Sequence, residues 1–185
     1  MGQIEDLAAN YERHLSVPWQ RSAVGAQRVM LLIYEKDHER ALRARLGEFE
    51  IKTKNKGHEW HEYDCTKIFS QWLANDEYND AYFESPEDLA MKIEGEFKDH
   101  VVSLLRERLR SVTDNAVVAL IGVASLYGFA HISEIIRAIE PDIQGRLIVF
   151  FPGSKEGSNY RLLDARDGWN YLANGITAHS TGGAA

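Results

Sequence analysis

The chain has 185 residues, enough to bury a sizeable core as one domain, and its 44% apolar content excludes wholesale disorder. A formal net charge of −7 argues against unaided binding of nucleic acid, because phosphate contacts call for a basic face. A single cysteine, Cys65, excludes an internal disulfide and suits a reducing compartment.

No apolar run approaches the roughly 20 residues that cross a bilayer. The longest, 29–34 and 116–123, are the size of strands. The opening MGQIEDLAANYERHL is acidic and helical in pattern, without the basic-then-apolar order of a secretory signal. Asp6 stands where a myristoylation signal carries Ser or Thr. A cytoplasmic protein is the expectation.

In chain order, Ile4, Leu7, Tyr11 and Leu15 fall on one face of a predicted helix over 3–15, which Val17-Pro18-Trp19 ends. Residues 28–34 read as a strand buried on both faces, since the run is apolar without alternation. Asp37 is placed to cap a helix reaching Asn55, with an interruption at Gly47 and Gly57 as its stop. A second strand is predicted over 58–65. Thr66 then starts a short helix carrying Ile68, Phe69, Trp72 and Leu73.

The linker 75–84 is polar but holds Tyr78, Tyr82 and Phe83. Ser85-Pro86-Glu87-Asp88 is a helix start: Ser85 as N-cap, Pro86 at the first position, acids in the first turn. Behind it Leu89, Ile93, Phe97, Val101, Leu105 and Leu109 form one stripe of a long helix. Residues 116–123 are a third buried strand. A turn with Ser125, Tyr127, Gly128 and Phe129 leads to a helix over 130–140, stopped by Pro141. A fourth strand over 146–151 ends at Pro152-Gly153-Ser154, followed by a polar loop over 154–159. Residues 160–163 and 171–176 are candidate edge strands, and 179–185 a flexible tail. Strands alternating with helices imply an α/β fold: a mostly parallel central sheet flanked by helices, a three-layer sandwich of P-loop type without the nucleotide motif. We expect one domain over 1–178.

Three segments, QRVMLLIYEKDHERALRARLGEFE (27–50), VVALIGVASLYGFAHISEIIRAIE (117–140) and GRLIVFFPGSKEGSNYRLLDARDGWNYLA (145–173), with YFESPEDLA (82–90), resemble the BrxB family of bacterial BREX phage-defence systems. The likeness keeps the same order over nearly the whole chain. It rests on extended segments, because the family is not defined by a catalytic signature. The resemblance implies a role in phage defence; because the residues give no complete catalytic set, we expect a non-enzymatic assembly subunit without a cofactor. Its implied partners are a phosphatase-like PglZ first, then the ATPase BrxC and the adenine methyltransferase PglX.

Read for chemistry, the residues give no complete catalytic set. A P-loop needs Gly-Lys-Ser/Thr after its spacer, and here Phe129-Ala130 follow Gly128. A helix N-terminus after the third strand still offers amides to an anion, with Ser125, Tyr127 and Ser133 as candidate lining, though a plain structural turn is the simpler reading. Ser125 lacks the flanking glycines of a nucleophile elbow, having Val123 and Tyr127, and His131 has no assignable partner. His58 and His61 point to opposite faces of a strand, and His61 and Cys65 stand roughly 13 Å apart at about 3.3 Å per residue, so we assign no metal site. Asp164 and Asp167 flank Arg166, which reads as a charge-paired turn. The bases Arg40, Arg43, Arg45, Lys52, Lys54 and Lys56 are interrupted by acids and read as a solvated helix face, a secondary DNA contact within a complex being the alternative. Aromatic residues in loops are the candidate partner anchors: Tyr127 and Phe129 after the third strand, Tyr78, Tyr82 and Phe83 in the linker. The alternative function is a nucleotide-binding or nuclease-like enzyme using the C-terminal edge of the sheet.

Overall fold

The computed structural model describes residues 2–20, 22–23, 25–165 and 169–179. Strands β1 (Val29–Tyr34) and β3 (Ala116–Ile121) are buried at every position, and β4 (Arg146–Glu156) is buried from Leu147 to Pro152. Runs of this kind need cover on both faces, and they sit at the centre of the sheet. The order is β2-β3-β4-β1-β7, with β2 (Glu59–Asp64) and β7 (Asn174–Thr177) outermost and every neighbouring pair parallel. The edge strand β2 reads EWHEYD, and its charges blunt an edge that would otherwise invite further pairing.

Alternation along the strands divides the core in two. Val29, Leu31 and Ile33 face α4 (Ile68–Ala74), α6 (Lys98–Arg110) and α7 (Ile132–Ile139). Met30, Leu32 and Tyr34 face α1 (Gln3–Leu15), α2 (Glu39–Ala44) and α3 (Leu46–Asn55). The chain is therefore an α/β three-layer sandwich. The crossover from β1 to β2 runs in one direction over the α2–α3 face. Those from β2 to β3 and β3 to β4 return over the other face, as right-handed connections require. Adjacent β1 and β4 thus send their chains to opposite faces, which opens a crevice beyond their C-terminal ends. Among the described residues no helix is long and apolar enough to cross a membrane.

Several elements differ from the sequence expectation. Asp37 does not cap a helix; it lies inside the 3-10 turn Lys36–His38. The break before α3 falls at Arg45 (φ −117°, ψ 11°), whose guanidinium pairs with Glu5 and Glu48, and not at Gly47. Gly57 does stop α3, at φ 83°, with the His58 amide donating to the Thr53 carbonyl. The long helix is divided into α5 (Pro86–Lys92), a π turn at Ile93–Phe97 that contains Gly95, and α6. Ser85 holds the N-cap position without a side-chain cap bond. The helix predicted over 130–140 is confined to Ile132–Ile139.

The largest change is at β4, which continues through Pro152-Gly153 to Glu156. Tyr34 is opposite Pro152 in the last β1 pair, and the strand then turns antiparallel to β5 (Asn159–Leu162), so the predicted polar loop is a hairpin. A side chain at Gly153 would run into the Arg161 carbonyl, so glycine is what allows the close pairing. Of the strand expected over 171–176 only the end is strand, as β7 (Asn174–Thr177), and the short β6 (Trp169–Asn170) comes before it. Of the tail expected over 179–185, only His179 falls among the described residues.

Candidate functional site

Beyond the C-terminal ends of β3 and β4 lies a groove of about 860 Å3, the size of a small-ligand site or a seat for a few partner side chains. The segment from Tyr127 into the first turn of α7 lines it, facing Phe151, Tyr160, Leu162 and Trp169, with Ile93 and Glu94 also contributing. In the apolar part Trp169 stacks on Tyr171 at 4.6 Å, and Tyr160 is buried with its hydroxyl donating to the Ala173 carbonyl at 3.0 Å. The polar part is acidic, with Glu94, Glu134 and Asp164. Lys98 pairs with Glu134 at 3.0 Å, and Lys36 pairs with Asp164.

Local backbone geometry aims Tyr127 at this groove. β3 ends at Gly122 (φ 69°), and the 3-10 turn Val123–Leu126 buries Val123 and Leu126. Tyr127 then becomes extended and stays 50% exposed. Gly128 (φ 83°) turns the chain back, so that the Phe129 and Ala130 amides both donate to the Leu126 carbonyl. Phe129 stacks on Phe69 at 4.0 Å and packs against the core, so it supports the turn while Tyr127 is its accessible aromatic. Ser133 and His131 line the groove; Ser125 is half-buried and does not.

Side chains from α2, the end of β2 and the 3-10 turn Cys65–Lys67 fill the space at the end of β3. A Cβ at Gly122 would come within 3.0 Å of Thr66 Oγ1, Asp64 Oδ1 and Arg43 Nη2. Arg43 donates to Glu39, Asp64 and Thr66, each at 2.8 Å, and the Tyr34 hydroxyl donates to Glu39. Partial burial opposes the Asp64 charge, but bonds from Arg43 and Thr66 outweigh it and hold this carboxyl at about 2. Hydrogen bonding to Asp64 raises Arg43 above its ordinary value. At neutral pH Asp64 is therefore an ionised carboxylate paired with Arg43 and packed against the glycine that follows β3.

The remaining candidates have other partners. His58 stacks on Trp19 at 3.7 Å, where the Arg146 guanidinium also lies 4.7 Å from the indole, and its Nδ1 is 2.7 Å from Asn115. His61 lies against Glu59. Cys65 is buried, and that burial pushes its thiol up to about 12. Among the described residues no three His, Cys, Asp or Glu side chains converge as a metal site. Arg166 and Asp167, of the charge-paired turn expected there, lie outside the described residues, and Asp164 pairs with Lys36.

The three linker aromatics separate by role. Tyr82 is half-buried, with its hydroxyl 3.3 Å from Asp76, which also receives Lys92. Tyr78 is 60% and Phe83 85% exposed, and Met91 on α5 is 65% exposed. The structure thus brings Tyr127 and Phe129 together at the groove and leaves Tyr78 and Phe83 on a separate outer segment. Sequence reasoning missed Tyr160, Trp169, Glu94 and Glu134. The 159–162 alternation, which puts Tyr160 and Leu162 on one face, was the available signal for part of that wall. Neither a protein-family model, nor a curated protein, nor a solved structure matches this chain.

Proposed function

We propose that this chain is a non-enzymatic assembly subunit of a BREX-type phage-exclusion complex in the cytoplasm, and that it binds a PglZ-type phosphatase-like subunit. The resemblance of residues 27–50, 117–140 and 145–173 to BrxB proteins supplies the partner. The observation that carries the binding role is Tyr127, half-exposed over an aromatic groove on a turn where Phe129 and Ala130 stand in place of a phosphate-binding Lys and Ser/Thr. Such a site favours a protein side chain over a nucleotide. Exposed tyrosines beside preformed pockets act as interface anchors because they bury a large rigid surface at little entropy cost.

Affinity purification of a tagged chain co-expressed with PglZ-type and other BREX proteins tests the partner, with PglZ expected in the eluate. Tyr127→Ala is expected to weaken PglZ binding by roughly tenfold, about 1.4 kcal/mol, with an unchanged melting temperature. Failure of the unmutated chain to retain PglZ removes the partner, and full binding by a folded Tyr127→Ala protein removes the site. Incubation with ATP and magnesium tests the enzyme alternative, and turnover lost on mutating residues 122–131 would establish it.

A further inference from the structure

The chain's net charge is not spread over its surface. Residues 76–96 hold eight acids against Lys92 alone, a net −7 that equals the formal charge of the whole chain, so the rest balances at twenty acids and twenty bases. Within this segment Lys92 is shared by Asp76 and Glu96. Glu77, Asp80, Glu84, Glu87, Asp88 and Glu94 make no ion pair among the described residues.

Most of the segment is exposed, and none of its residues is fully buried. No residue of α5 is buried, and the helix packs chiefly on its chain neighbours, the turn Ala81–Phe83 and the π turn Ile93–Phe97. Phe83, Tyr78 and Met91 stand out among these acids at 85%, 60% and 65% exposure. Acids in the first turn of α5 have a local role at the helix N-terminus, which accounts for Glu87 and Asp88. It does not account for the other acids, or for apolar side chains left in water among them.

We infer that the α5 face and the turn before it form a docking surface for a partner protein segment that combines lysine and arginine with apolar side chains. Charge complementarity fixes the class of occupant. A polyanion is repelled, and a purely apolar surface leaves the acids desolvated and unpaired. A second copy of this chain is a poor complement, because its main basic stretch is already occupied: Arg43, Arg45, Lys52 and Lys54 pair internally with Glu39, Asp64, Glu5, Glu48, Glu12 and Glu50. Exposed Phe83 and Met91 supply the apolar seat, and the surrounding acids steer a basic segment onto it. This inference rests on charge and exposure alone and stands whether or not the partner is PglZ.

The test uses the full chain and a fluorescent 18-residue amphipathic peptide with leucines on one face and arginines and lysines on the other. Binding is expected at low salt and should weaken as salt rises. Glu84→Gln/Glu87→Gln/Asp88→Asn should weaken it by roughly tenfold, and Phe83→Ala by about fivefold with the salt dependence retained. A control triple on exposed acids elsewhere, Glu107→Gln/Asp114→Asn/Glu156→Gln, should change it less than about twofold. Thermal melting confirms that each variant is folded. Equal losses in the two triples would overturn the inference, leaving net charge as the cause. So would equal binding of a lysine–glycine peptide of the same charge, since no apolar seat would then exist. Sedimentation that shows a dimer broken by the first triple would assign the surface to a second copy.

Discussion

Helices α2 and α3 and the segment 76–96 are both charge-rich and make opposite use of their charge. Of the six bases in 40–56, four are held by acids, and two of those pairs, Arg45–Glu5 and Lys52–Glu12, fasten α3 and the residue before it to α1. Beneath them Phe49 is fully buried, edge-on to Phe150 at 5.0 Å. The 76–96 segment has one base for eight acids, no buried residue in its helix, and a phenylalanine in water. A run of charge in sequence is thus no guide to an interface. The guide is charge that the fold leaves unmatched, together with apolar surface that it leaves uncovered.

The contrast breaks first on packing. Phe49→Ala empties a fully buried site between Tyr11 and Phe150 and is expected to cost about 3–5 kcal/mol. Phe83→Ala, at 85% exposure, should stay within about 0.5 kcal/mol. Urea unfolding of the two variants reads both numbers, and comparable losses would show that the outer segment is core after all.

The second lever is the ion-paired cluster that ties α2 to the sheet. Gly122→Ala puts a side chain at φ 69° and within 3.0 Å of Arg43, Asp64 and Thr66. The left-handed backbone alone costs about 1–2 kcal/mol, and the displaced ion pairs add to it. A lowered melting temperature is expected, with unchanged proteolytic sensitivity of 76–96. A variant as stable as the parent would mean that the cluster does not constrain the turn.

Much of the architecture is legible in single segments. VMLLIY in β1 cannot alternate faces, so it declares a covered central strand, and Ile132, Ile135, Ile136 and Ile139 mark the buried face of α7. Placement of β4 between β1 and β3 is not legible, because it depends on which face each crossover takes. The continuation of β4 past Pro152 is hidden for a related reason: Pro-Gly ordinarily ends a strand, and here a change of partner from β1 to β5 rescues it. At the site, Tyr127 follows from its place after a buried strand, whereas Trp169 belongs to a two-residue strand with no periodicity to read. The charge imbalance in 76–96 was countable from the start, but a whole-chain value of −7 conceals where it lies.

The cluster at Gly122 also has a pH signature. Asp64 is held at about 2 against an ordinary 3.8, so its ion pair stabilises the fold at pH values above 3.8 and is lost as pH falls towards 2. Its side chain is 45% exposed, and that of Arg43 35%, so screening limits the gain to about 1 kcal/mol or less. Asp64→Asn should therefore be slightly less stable than the parent at pH 7, with the gap closing between about pH 4 and 2. Paired denaturation curves check this, because carboxylates common to both proteins cancel in the difference. A gap that persists at pH 2 would assign the loss to packing.

The smallest expected effect distinguishes the two regions by salt. Charges on α2 and α3 attract, whereas those of 76–96 mostly repel, and both lie near solvent where about 0.1 M salt screens beyond roughly 10 Å. Raising salt from 0.05 to 0.5 M should therefore slow amide exchange in 76–96 by roughly two- to threefold, while exchange in α3 stays level or quickens. Lys92 is the internal counterweight: it bonds Asp76, holding that carboxyl below its usual range, and lies 5.9 Å from the Trp72 ring. Lys92→Gln removes the only base in the segment, so exchange there should quicken at low salt and recover more on adding salt than in the parent. Core amides in β1 and β3 should be unaffected, which separates a local loosening from loss of the fold. If 76–96 responds to salt as α3 does, its acids are already compensated, and the difference between the two regions is one of sequence alone.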